Sequence, residues 1–203
     1  PHLAQVDRLG SRRGPHLTSI QAQPSHLVIT FAVIAVGVFW MLGAYNRLVR
    51  LRNDIASAWS QVEVQLQRRA EALAALLQAL AEPLASELAA VESVSEFQAQ
   101  VAQAAEAVKS RPAQAEAVLD LVAALARLEP ALTRLLALME HQPQLREWPE
   151  VEQPRNELLD VAARMPYAKQ VFNEAVLTYN HAVQQWPTRL LSGLYSFRPS
   201  ETL

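Results

Sequence analysis

The stretch that decides the fold is LVITFAVIAVGVFWMLGAY, residues Leu27–Tyr45, which contains no charged residue. As an α-helix with a rise of about 1.5 Å per residue it would span roughly 28 Å, close to the thickness of the hydrocarbon core of a bilayer. Trp40 and Tyr45 lie toward one end of the run, and their amphipathic rings favour the membrane interface. We therefore predict a transmembrane helix over residues 27–45, preceded by a short N-terminal segment over residues 1–26.

Two other interpretations of this apolar run are a cleaved signal peptide and a buried central helix. A signal peptide has a shorter apolar region followed by a cleavage site of the form small-x-small. Here Leu42, Gly43 and Ala44 place a bulky residue where a small one is needed. A central helix would need apolar partners on every side, within a chain of only 203 residues. The sequence favours the membrane helix.

Basic residues flank the apolar run on both sides. Three follow it within seven residues: Arg47, Arg50 and Arg52. Three more precede it at a greater distance: Arg8, Arg12 and Arg13. The closer cluster favours a cytoplasmic C-terminal domain, because cytoplasmic flanks carry an excess of Lys and Arg. Recognition of anionic lipid is the alternative, but three groups at about 1 kcal/mol each are few for a specific site. We therefore assign Arg47, Arg50 and Arg52, with Trp40 and Tyr45, to the membrane-flanking regions.

The residues after the apolar run predict a helix that continues the membrane segment without a break. Nothing between Tyr45 and Ser57 disfavours a helix, and Pro83 is the first residue expected to end or kink it. Apolar residues recur at the three-and-four spacing of an amphipathic helix. They are Leu48, Ile55, Trp59, Val62, Leu66, Leu73, Leu76 and Leu80. We expect this first soluble helix to reach about Glu82.

Three further amphipathic helices follow, with prolines and short polar segments between them. The second begins at about Leu84, with Leu88, Val91, Phe97, Val101 and Val108 as its apolar stripe. The third carries Val118, Leu121, Leu125, Leu128, Leu132, Leu135 and Leu138, with a bend or a new start at Pro130. Residues 141–154 form a connection with Leu145, Trp148 and Val151 as possible anchors. The last carries Leu158, Val161, Met165, Ala168, Phe172, Ala175, Tyr179, Ala182 and Trp186, and stops at Pro187.

This order of elements predicts an all-α protein: a transmembrane helix continuing into an antiparallel bundle of about four long helices. The bundle covers residues 46–187, and residues 188–203 form a C-terminal tail. The tail keeps several apolar residues, so we expect it to pack against another surface, which the sequence does not identify.

The composition excludes several kinds of site. With no cysteine there is no disulfide, zinc-thiolate site or thiol nucleophile. A net charge of −2 gives the chain as a whole no electrostatic attraction for nucleic acid. The sequence also lacks a Gly-rich phosphate loop, G-x-S-x-G, H-E-x-x-H and a Glu-x-x-His pair. We therefore predict no catalytic residue, no cofactor and no metal. The charge is nevertheless uneven, with six basic and fifteen acidic residues over 70–160.

Two segments resemble the LemA family of bacterial membrane proteins. The first, YNRLVRLRNDIASAWSQVEVQLQRR at 45–69, meets the family pattern at Tyr45, Asn46, Leu48, Val49, Ala58, Trp59, Ser60, Val64, Gln65, Leu66, Arg68 and Arg69. The second, at 165–199, meets it at Tyr167, Ala168, Gln170, Asn173, Ala175, Val176, Tyr179, Asn180, Trp186, Pro187, Leu190, Gly193, Leu194, Phe197 and Pro199. The resemblance implies one N-terminal membrane helix, a cytoplasmic bundle of long helices and no established enzymatic activity.

Polar residues within the last apolar stripe suggest a packing or assembly role. Asn173 and Asn180 are one heptad apart, beside Phe172 and Tyr179. Because a buried Asn costs stability but fixes register, we expect the pair to specify packing with the first helix, which carries Trp59, or with a neighbouring subunit. On this hypothesis, replacing both by Leu raises stability and loosens assembly.

The sequence leaves three functional hypotheses. The first is a non-catalytic, membrane-anchored helical scaffold or adaptor that forms homo-oligomers in the lipid bilayer and recruits partners through its acidic helices. The second is an accessory or regulatory subunit of a membrane enzyme such as a protease, which would bring a membrane protein partner. The third is an enzyme whose site forms only between subunits.

Overall fold

The computed structural model describes residues 24–185, 188–189 and 197–203. This part of the chain contains four α-helices and no strand: α1 (Pro24–Leu80), α2 (Leu88–Ser110), α3 (Ala115–Glu140) and α4 (Pro149–Gln184). Two short 3-10 turns, Ala85–Glu87 and Pro143–Glu147, precede α2 and α4. The predicted all-α class is confirmed. Most of the predicted segment 1–26 lies outside the described residues, as do Trp186 and Pro187, where the last helix was expected to stop.

The chain divides into two compact units, Pro1–Phe39 and Trp40–Leu203. The described part of the first unit is the beginning of α1, whose apolar side chains are exposed. They are Leu27, Val28, Ile29, Phe31, Val33, Ile34, Val36, Val38 and Phe39. By length and composition α1 contains a candidate membrane span, and none of its most apolar window is buried within the protein. The alternative of a helix buried in the core of the chain is therefore wrong.

The predicted continuation of the apolar run into the first soluble helix is confirmed. α1 extends to Leu80, two residues short of the predicted end, and a turn over residues 81–84 contains Pro83. All eight predicted stripe residues of this helix, from Leu48 to Leu80, are buried. They form a single core with side chains of the other helices.

Helices α1 and α4 run antiparallel. Near the middle of the bundle, the ring of Trp59 meets that of Phe172 edge to face, with centroids 5.9 Å apart. Further along α1, Arg68 donates through Nε and Nη2 to Glu157 and Asp160, each at 2.7 Å. Higher residue numbers on α1 thus meet lower numbers on α4. The four-residue connection between α2 and α3 likewise makes those two helices adjacent and antiparallel.

Ion pairs join α1 to each of the other three helices. Arg68 bridges α1 to α4, Arg69 contacts Glu129 of α3 at 2.7 Å, and Glu63 contacts Lys109 of α2 at 2.8 Å. Through these ion pairs and its buried stripe, α1 is the helix against which the other three pack.

Among the described residues, two that were predicted to lie in the core are exposed. Leu88 is 51% exposed, because α2 begins at Leu88 itself after the 3-10 turn, and Leu84 takes the buried position before it. Val94 and Ala90 supply the buried positions of early α2 instead. Trp148 is 42% exposed, because it precedes α4 in an extended conformation. The other two predicted anchors of the connection, Leu145 and Val151, are buried.

Internal prolines do not interrupt α3 or α4. α3 continues through Pro130, and α4 continues through Pro154 and Pro166. α4 also begins earlier than predicted, at Pro149, because proline is well suited to the first turn of a helix, where its missing N–H has no intrahelical partner. A proline in a helix interior costs about 3 kcal/mol, so packing of the apolar stripes must outweigh this cost.

The ion pairs of Arg68 predict a pH-dependent contribution to stability. Hydrogen bonds from Arg68, and then from Arg164, hold the pKa of Asp160 below its ordinary value of 3.8. The stabilisation is complete above that ordinary value and is lost as pH falls through the lowered pKa. We expect Arg68→Gln to lower the free energy of unfolding at pH 7, and the difference from the wild type to shrink as pH falls below about 4.

The measurement is denaturant unfolding at a series of pH values. Arg164→Gln is the matched control, because Arg164 contacts the same carboxylate from within α4, at 2.9 Å, and makes no ion pair with a second helix in the part of the chain that the structure describes. Its effect should be smaller than that of Arg68→Gln. Equal effects of the two variants, or an Arg68 effect that does not change with pH, would contradict this account.

Candidate functional site at the tail-binding face of α1 and α4

The predicted asparagine pair holds the C-terminal tail. Asn180 Nδ2 donates to the carbonyl oxygen of Ser200 and Asn180 Oδ1 accepts from its backbone N–H, both at 2.8 Å. Asn173 makes the same two bonds with Leu203, at 3.1 and 2.8 Å. Each carboxamide thus pairs with both the donor and the acceptor of one tail residue. These four bonds satisfy backbone groups that are otherwise outside any helix or sheet.

The spacing of the two asparagines matches an extended tail. Seven helical residues between Asn173 and Asn180 correspond to about 10.5 Å along α4. The three residues from Ser200 to Leu203 cover about 9.3 Å as polyproline II and slightly more as a β-strand. The tail therefore runs antiparallel to α4, with one tail triplet for each heptad of the helix.

Burial of the tail follows a period of three. Phe197 and Ser200 are buried and Leu203 is half-buried, whereas the residues between them are exposed. A β-strand alternates with a period of two, while polyproline II has three residues per turn. The tail over residues 197–203 therefore has the side-chain pattern of polyproline II, and Pro199 suits that conformation.

The beginning of the tail is held by side chains of α1. The ring of Phe197 meets that of Tyr45 edge to face, with centroids 5.9 Å apart. The guanidinium of Arg52 lies over the same ring, 5.2 Å from its centroid, in a cation–π contact. Tyr45 and Arg52 are themselves one heptad apart. We call the surface formed by Tyr45, Arg52, Asn173 and Asn180 the tail-binding face.

Beneath this face lies a buried tyrosine. Tyr179 is fully buried, and burial raises the pKa of its hydroxyl, an effect that the positive charge of Arg52 partly offsets. The Tyr179 hydroxyl, the Ser200 hydroxyl and Trp59 Nε1 have no hydrogen-bond partner among the described residues.

The described residues also hold no group of three or more His, Asp or Glu side chains placed to bind a metal. The polar contacts of the tail-binding face are therefore the four hydrogen bonds by which Asn173 and Asn180 bind the main chain of the tail.

Comparison with known proteins identifies the family. The family model described as the LemA family matches residues 58–203, from the middle of α1 to the end of the tail. The chain belongs to the LemA family. The resemblance found in the sequence motifs is thereby confirmed, and the matched region includes both asparagines and the tail that they bind. No curated protein matches this LemA chain.

The structure separates the predicted membrane-flanking residues of this LemA chain into two groups. Arg47 and Arg50 are exposed on α1, and Trp40 is 48% exposed. Tyr45 and Arg52, which are also predicted to flank the membrane, contact Phe197 of the tail. This second role was not foreseen, because the contact joins residues about 150 positions apart in the chain.

The predicted packing residues lie together between α1 and α4, but the asparagines have a different partner from the expected one. Trp59 and Tyr179 are buried in the core. The hydrogen bonds of Asn173 and Asn180 go to the tail, whereas the sequence analysis assigned the pair to the first helix or a neighbouring subunit. Ser200 and Leu203 were missed as functional residues. The three-residue spacing of Phe197, Ser200 and Leu203 along the tail was the available signal.

The tail bonds reverse the expected effect of replacing the asparagines. We expect Asn173→Leu combined with Asn180→Leu to lower the free energy of unfolding by about 1–3 kcal/mol, because four hydrogen bonds are lost. The backbone amides of Ser200 and Leu203 should also exchange with solvent faster. Hydrogen exchange followed by mass spectrometry measures this directly. Asn156→Leu is the matched control, because Asn156 is exposed elsewhere on α4. Unchanged exchange at Ser200 and Leu203 in the double variant would show that the asparagines do not hold the tail.

Proposed function

We propose that this LemA chain is a non-catalytic, membrane-anchored helical scaffold or adaptor that self-associates in the plane of the membrane. The observation that carries the proposal is the form of α1, a single helix with an exposed apolar segment at one end and a buried stripe in the bundle at the other. On this proposal the exposed segment of α1 anchors the chain in the membrane, and the buried stripe of the same helix packs against the rest of the bundle. On this proposal the chain resides in the bacterial cell membrane as a single-pass protein.

The positions of the basic residues support a cytoplasmic bundle. Arg47 and Arg50 are exposed shortly after the apolar segment, where cytoplasmic flanks carry an excess of Lys and Arg. In the proposed orientation they lie at the headgroups of the inner leaflet. The bundle, including the tail-binding face, then faces the cytoplasm.

The surface of the bundle supports recruitment of partners. Among the fifteen acidic residues over 70–160, all but Glu87, Glu157 and Asp160 are exposed. An acidic surface favours partners with basic patches and repels nucleic acid and anionic lipid. The acidic surface therefore favours membrane proteins with a basic cytoplasmic face as partners. The lipid bilayer, which would hold the apolar segment of α1, and further copies of the chain are the other proposed partners.

Mass measurement after gentle detergent extraction tests this proposal. We expect the chain to remain in carbonate-washed membranes, to elute in mild detergent as a homo-oligomer of defined mass, and to show no co-purifying enzyme at fixed stoichiometry. Release by carbonate would exclude the anchor, and a monomeric mass would exclude self-association. A hydrolase bound at fixed stoichiometry would instead support the second hypothesis, an accessory subunit of a membrane enzyme.

A further inference from the structure

The two asparagines of the tail-binding face recognise the backbone of the tail. All four asparagine bonds go to main-chain N–H and C=O groups of Ser200 and Leu203. Any segment in the same conformation presents the same groups at the same spacing. The match of one triplet to one heptad fixes the register of such a segment.

Side-chain contacts add selectivity at every third position. Phe197 contacts Tyr45 and Arg52, Ser200 is buried against α4 and Leu203 is half-buried. The four residues between these positions are exposed: Arg198, Pro199, Glu201 and Thr202. The face therefore selects a segment with an aromatic residue, a small residue and an aliphatic residue at three-residue spacing.

We propose that the tail-binding face is a peptide-binding site, and that its occupant in trans is the segment 197–203 of a second copy of this chain. This inference rests on the proposed function, because tail exchange between copies would link neighbouring scaffolds. The seated tail already shows that this segment fits the face in conformation, register and side chains. A second copy carries the same segment.

A membrane anchor favours exchange between copies. Copies held in one membrane are confined to a thin layer and share a common depth, which raises the effective concentration of one tail at the face of another. The tail of the same chain competes for the same face, so binding in trans is strongest when the resident tail is weakened. That competition makes the proposal testable.

A substitution in the tail can weaken the binding of the tail to the tail-binding face without changing any residue of that face. Ser200→Pro removes the N–H that donates to Asn180 Oδ1, and it leaves polyproline II accessible at positions 199 and 200. Phe197→Ala is a second tail variant, which removes the ring that lies against Tyr45 and Arg52. Both leave every residue of the tail-binding face intact, and circular dichroism checks that each variant keeps its helices.

The probe is a fluorescent synthetic peptide with the sequence of residues 197–203, FRPSETL, added to the full chain in lipid nanodiscs. We expect it to bind the Ser200→Pro and Phe197→Ala chains at least ten-fold more tightly than the wild type. The matched peptide control carries N-methyl groups at the serine and leucine nitrogens, which removes two donors and keeps all side chains. It should not bind, and adding Asn173→Leu and Asn180→Leu to the Ser200→Pro chain should also abolish binding.

The outcomes separate this proposal from the proposed function. Failure of the peptide to bind either tail variant, or equal binding of the N-methylated peptide, overturns the peptide site. If wild-type chains assemble and both tail variants assemble to the same mass, self-association stands but tail exchange is overturned. A monomeric wild type overturns tail exchange and self-association together. Peptide binding combined with loss of assembly in the tail variants supports the proposal.

Discussion

The fold depends on one buried stripe, the apolar face of α1 from Leu48 to Leu80. Every predicted residue of this stripe is buried, and α2, α3 and α4 each contribute side chains to the core that contains it. Burial of a Leu or Ile side chain contributes about 1.5–3 kcal/mol, so the stripe is a principal source of stability for the bundle. The ion pairs that α1 makes with each of the other helices add contacts that fix how these helices align along α1. Because α1 also carries the exposed apolar segment, the element that organises the bundle is the one proposed to anchor it.

The tail-binding face follows from the antiparallel pairing of α1 and α4. Two heptad pairs, Tyr45 with Arg52 and Asn173 with Asn180, face the same extended segment. A helix offers side chains every seven residues at about 10.5 Å, and a polyproline II segment offers equivalent groups every three residues at about 9.3 Å. This near match lets the asparagine pair of α4 bind a segment that lies outside any helix or sheet, while both side chains of the α1 pair contact one tail residue, Phe197. Asn173 and Asn180 lie within the last apolar stripe because they form hydrogen bonds with backbone groups of the tail that have no partner in a helix or sheet.

Much of the fold could be predicted from the sequence, because helical periodicity is a local signal. The α1 stripe, its continuity with the apolar run and the all-α class depend on spacing within one segment. Errors arose where a local shift changed the phase: the 3-10 turn after Pro83 moves Leu88 out of the core, and Pro149 starts α4 earlier than expected. The site was harder to predict. Position and residue type indicated that Asn173 and Asn180 have a structural role, but their partners lie 30 and 20 residues away in a tail without periodicity of the helical kind.

Native-state hydrogen exchange of the full chain in lipid nanodiscs tests the central claim, that α1 is the helix against which the other three pack. The account predicts that backbone amides of α1 between Leu48 and Leu80 are among the slowest in the bundle to exchange, and that they open only with global unfolding. Faster exchange in this part of α1 than in α2 or α3, with opening below the global free energy of unfolding, would contradict it.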